Sequence, residues 1–95
     1  MQVTTNSGFT CEVRPEKLKD YRFLRHIREM KDTDPTQNIV GMVDMAEMIL
    51  GAQGVERLLE HVQNENGDAP AEDVAREVGE IIQLTAARSV TVKNC

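Results

Sequence analysis

A chain of 95 residues holds one small core, because single cores usually take from about 50 to 200 residues and this length cannot fill two. Apolar residues at 40% and charged residues at 28% are ordinary for a globular domain, but Phe9, Tyr21 and Phe23 are the only aromatics, too few for a base- or sugar-stacking platform. The net charge of −5 is unevenly placed: residues 14–31 carry seven basic and three acidic side chains, residues 32–95 four basic and twelve acidic ones.

A basic helix set in an acidic remainder suits pairing within the chain, pairing between subunits or an acidic partner; nucleic acid would be approached past a repelling background. The chain has no apolar run of membrane-spanning length, and Met1–Asn6 has neither the basic flank nor the apolar stretch of a signal peptide, so the protein is expected to act where it is made. Cys11 and Cys95 then read as reduced thiols. Neither they nor His26 and His61 stand at zinc-ligand spacing, so no metal and no cofactor are expected.

In chain order, residues 1–7 read as a flexible N-terminus, 8–87 as one mainly α domain of four helices with a short N-terminal strand, and 88–95 as a tail that frays or pairs weakly with the strand. Phe9, Cys11 and Val13 alternate with polar neighbours, as on a half-buried strand. Pro15 and Glu16 suit a helix's first turn, and the helix is expected from about Pro15 to Lys31. Phe23, Leu24, Ile27 and Met30 share its core arc, Arg22, Arg25 and Arg28 line a basic face, and Leu18 and Tyr21 fall near the edge.

Asp34-Pro35 starts a second helix that runs to Leu50 and stops at Gly51, a natural residue just past a helix end. Its arc of Ile39, Met42, Val43, Met45, Ala46, Ile49 and Leu50 is apolar, yet Val40 and Met48 project from the other side beside Asp44 and Glu47. Such a helix is central to the core or touches something outside its domain. A third helix, about Ala52 to Asn64, buries Val55, Leu58, Leu59 and Val62, with Gly54 mildly unfavourable in its first turn. After a turn at Asn64–Asp68, Pro70 opens a fourth helix to about Ala87, burying Val74, Val78, Ile81 and Ile82. The expected core is Leu24, Ile27, Ile39, Val43, Ala46, Ile49, Leu58, Leu59, Val62, Val78 and Ile81.

Catalytic signatures are missing: there is no glycine-rich phosphate loop, nucleophile elbow, paired-His helix or calcium loop. The expectation is therefore a protein that is not an enzyme. His26 and His61 have no nucleophile nearby in sequence and read as ordinary surface histidines. Met42, Met45 and Met48 are adaptable core filler in the plain reading, while flexible thioethers also suit a surface that accepts a long or variable apolar partner. A carrier-protein reading fails for want of an Asp-Ser-Leu attachment segment. A small nucleic-acid-binding or regulatory module using Arg22, Arg25 and Arg28 remains the alternative, with the isoelectric point near 4.9 against it.

One order of features is familiar. Gly8-Phe9 opens a short strand, Leu18-Lys19-Asp20-Tyr21-Arg22-Phe23-Leu24 lies in a charged helix, and Asp34-Pro35 begins an apolar helix ending Ile49-Leu50-Gly51. Arg57-Leu58-Leu59-Glu60-His61-Val62 and Asn64-Glu65-Asn66-Gly67-Asp68-Ala69-Pro70 follow, before a last amphipathic helix. Over residues 8–84 this resembles the small tail assembly chaperones of bacteriophages and prophages with long non-contractile tails. The pattern departs at Gln53-Gly54-Val55 and after Ala87, so no residue role is carried to the start of the third helix.

The resemblance implies a non-enzymatic protein of the host bacterial cytoplasm, absent from the mature virion, that coats the aggregation-prone tape measure protein and helps recruit tail tube subunits. Partner docking or self-association is expected through Val40, Asp44 and Met48 together with Arg22, Arg25 and Arg28.

Overall fold

A computed structural model describes the backbone of residues 1–29 and 35–93 and the side chains of 1–28 and 40–88. It is mainly α, with two short strands, β1 (Gln2–Thr4) and β2 (Thr10–Glu12), a 3-10 segment at Pro15–Lys19, and three helices among the described residues: α1 (Tyr21–Glu29), α2 (Pro35–Val62) and α3 (Ala71–Lys93).

The N-terminal residues, expected to be flexible, form a hairpin with the expected strand. β1 and β2 pair antiparallel, Gln2 opposite Glu12, Val3 opposite Cys11 and Thr4 opposite Thr10. Strand alternation then turns Val3 and Cys11 inward together, and both are buried. Val3 is a lone apolar residue between Gln2 and Thr4, so periodicity had too short a run to register. The hairpin closes through the Thr5 amide, which donates to the Phe9 carbonyl (2.9 Å).

The expected Pro15–Lys31 helix divides at Asp20, which is extended (ψ 137°). Its carboxylate accepts from the Arg22 amide (2.8 Å) and its carbonyl from the Leu24 amide (3.0 Å), so Asp20 caps α1. A short acidic side chain competes for backbone donors, which favours a helix start over a helix interior. The expected end of this helix at Met30 and Lys31, and the Asp34 cap, lie outside the described residues.

The expected second and third helices are one element, α2, so three helices are counted where the sequence reads four. Within it Gly51 departs from helical geometry (φ 74°, ψ 173°), a region that only glycine occupies readily. Gly54, expected to weaken the next turn, is required there: a Cβ on it would lie 2.8 Å from Leu50 Cβ.

Between α2 and α3, Asn64 Oδ1 accepts from the amides of Asn66 (2.9 Å) and Asp68 (3.1 Å), building the expected turn. α3 then passes Ala87 and continues to Lys93, taking in residues 88–93, which the sequence reads as part of a tail; the last two residues of that tail lie outside the described residues. No proline interrupts it, and a guanidinium N–H of Arg88 donates to the Gln2 carbonyl, tying this stretch to the hairpin.

Val3, Phe9, Cys11, Val13, Phe23, Met45, Ala46, Ile49, Leu58, Val74, Val78 and Ile81 form the buried core. Of the expected core, Ala46, Ile49, Leu58, Val78 and Ile81 are buried; Ile27, Leu59 and Val62 are half-buried against it, and Val43 is also half-buried. Leu24 is a correction: it is 51% exposed. With the helix beginning at Asp20, the packed position on this first turn goes to Phe23, and its neighbour Leu24 faces outward. The side chain of Ile39 lies outside the described residues.

Candidate partner-binding face

α1 is seated on the early part of α2 by His26, whose Nε2 lies 2.9 Å from the Gly41 carbonyl. A carbonyl only accepts, so Nε2 carries the proton and donates. The same nitrogen is 4.0 Å from Asp44 Oδ2. His26, expected to be an ordinary surface residue, therefore fixes one helix against another.

This seating leaves Tyr21 72% exposed and Leu24 51% exposed on α1, and Val40 53% exposed on α2. Arg22, Arg25 and Arg28 are exposed. None of the three forms an ion pair among the described residues, and Arg25 sits 5.6 Å over the Tyr21 ring as a cation–π contact. Of the three pairings open to the basic segment, pairing within the chain is thus not used by these arginines among the described residues.

Asp44 is exposed. Met48, expected to project with Val40, is half-buried against the core instead. Together with Arg22, Phe23, Lys17, Asp20 and Glu47 it lines a cleft of about 270 Å³. The fold thus joins Arg22 to Met48, and by way of His26 it sets α1 beside the Gly41–Asp44 turn of α2. What results is a set of exposed apolar side chains, Tyr21 and Leu24 on α1 and Val40 on α2, with three α1 guanidinium groups that form no ion pair among the described residues; such groups suit a partner that presents both apolar and anionic groups.

A second polar cluster was invisible in the sequence. Glu77 is 7% exposed, and its Oε1 accepts from the hydroxyls of Thr5 (2.7 Å) and Ser7 (2.9 Å). Ser7 Oγ also lies 2.9 Å from His61 Nε2. With the single Ser7 proton directed to Glu77, His61 must be the donor, so it is not placed as a base toward Ser7. The Asn6 amide donates to Glu80 Oε2 (2.6 Å), and the Phe9 and His61 rings lie 5.4 Å apart.

These contacts tie the hairpin turn to α3 and border a cleft of about 520 Å³. Ser7 and Glu77 are 70 positions apart, so no local spacing announced them. Among the described residues, no group of three His, Cys, Asp or Glu side chains is placed to hold a metal ion, and no helix is long and apolar enough to cross a membrane. Compared with protein-family models, curated proteins and solved structures, the chain matches none.

Proposed function

We propose that the chain is a non-enzymatic binding protein that keeps a hydrophobic partner soluble, in the manner of the phage tail assembly chaperones its sequence resembles. In this reading its partner is the tape measure protein, for which it recruits tail tube subunits in the host bacterial cytoplasm, and it does not remain in the finished virion. The observation that supports this most is the exposure of Tyr21 and Leu24 on α1 and of Val40 on α2, together with three α1 arginines that form no ion pair among the described residues. The arms of α2 on either side of Gly51 then act as separate rods, which makes four helices in the working domain.

Co-expression with a neighbouring tape measure protein, the partner this reading names, tests the proposal. The chain should raise that protein's soluble yield several-fold and co-purify with it, and Leu24→Asp with Val40→Asp should abolish both effects. An unchanged yield with no co-purification removes the chaperone assignment. The same arginines, without an ion pair among the described residues, favour one other reading, a nucleic-acid module. Duplex binding whose salt dependence weakens in the Arg22, Arg25 and Arg28 triple Ala variant would favour that reading instead.

A further inference from the structure

The cleft between the hairpin turn and α3 is walled by Asn6, Ser7, His61, Asp73, Glu77 and Glu80, with Arg76 at its edge. Arg76 is the one guanidinium on this wall, and it is held by Asp73. Glu77 and Glu80 also line the space, and neither forms an ion pair among the described residues. Glu77 is more than nine-tenths buried, and both of its hydrogen bonds fall on Oε1; Oε2 has no partner among the described residues. A guanidinium, with five donors in a planar fork, is the group best shaped to pair with this oxygen and with the Glu80 carboxylate beside it in the cleft.

The same molecule carries three such groups on α1, and α1 is held on α2 by the His26–Gly41 bond. We infer that the cleft receives an arginine from α1 of a second copy of this chain. The inference rests on the reading of α1 as a partner-binding face and specifies what that face meets. The donor face and the acceptor cleft are different surfaces, so each copy can give an arginine at one and receive one at the other. Opposite charge on the two surfaces sets the register and speeds encounter.

Sedimentation equilibrium of the full chain, over a range of concentrations at low and physiological salt, tests this. The wild type should self-associate, more weakly as salt rises. Arg22→Glu, Arg25→Glu and Arg28→Glu combined should weaken association about tenfold or more, as should Glu80→Arg, and an equimolar mixture of these two variants should recover it. Glu80→Gln keeps the side-chain shape and should act in the same direction to a smaller extent, while circular dichroism reports that each variant is folded. A wild type that stays monomeric at both salts overturns the inference, and so does association that survives Glu80→Arg and Glu80→Gln unchanged. If the monomeric chain still solubilises and co-purifies with its neighbour, the cleft inference has failed and the partner reading stands.

Discussion

The hairpin, the second arm of α2 and α3 form a closed half of the molecule, whereas α1 and the first arm of α2 form an open half. In the closed half apolar side chains are used up: Val3, Cys11, Leu58, Val78 and Ile81 are each at most 3% exposed. The buried Thr85 hydroxyl also finds a partner there, donating to the Ile81 carbonyl (2.8 Å). In the open half Tyr21, Leu24 and Val40 stay exposed, and the three α1 arginines form no ion pair among the described residues. Burial is what stabilises a small domain, so side chains left outside it are the ones free for a partner. The exposed apolar side chains thus gather in the open half, which also gives Phe23, Met45, Ala46 and Ile49 to the buried core.

The sharpest separation of the halves comes from two leucines. Leu58→Ala, at a site with 0% exposure, should lower unfolding free energy by about 3 kcal/mol in a denaturant titration. Leu24→Ala should change it by less than about 0.5 kcal/mol. Equal losses at the two sites would erase the division.

Gly51→Ala probes the boundary between the arms of α2. Nothing lies within 4 Å of an added Cβ, so the cost is backbone strain alone, about 1–2 kcal/mol by thermal melting. A stabilised variant would show that the arms prefer one continuous rod.

The smallest effect is a pH dependence seated in the closed half. Burial is the main influence on the Cys11 thiol and raises its pKa above the ordinary thiol value; nearby Glu12 adds to this and Arg57 offsets part of it. The neutral thiol is the folded form, so its contribution to stability is complete below the ordinary thiol pKa and is lost as pH rises through the raised one. Denaturant midpoints should fall on that alkaline limb, and Cys11→Ala should flatten the fall. A limb left unchanged by Cys11→Ala would assign it to other groups.

Much of the closed half was legible because its signals are local. Phe9, Cys11 and Val13 alternate, Leu58 and Val62 keep helical spacing, and Asn64–Asp68 carries turn chemistry. Not every misreading came where a tertiary partner decides. Val3 is inward because β2 pairs with it, whereas Leu24 is outward for a local reason, the Asp20 cap that restarts the helix. Met48 is half-buried because it packs against the core, and it lines a cleft with Phe23 and Arg22. Among the site residues, the exposure of Arg22, Arg25, Arg28 and Val40 followed from helical period, while Ser7, His61 and Glu77 meet only through the fold.

The division of labour between the halves is tested most directly by measuring one double variant, Leu24→Asp with Val40→Asp, for both melting temperature and retention of the co-expressed neighbour. A melting temperature within about 4 °C of wild type, together with loss of the bound neighbour, is the predicted result. Retention of the neighbour at wild-type level, or a drop in melting temperature as large as that of Leu58→Ala, would contradict it.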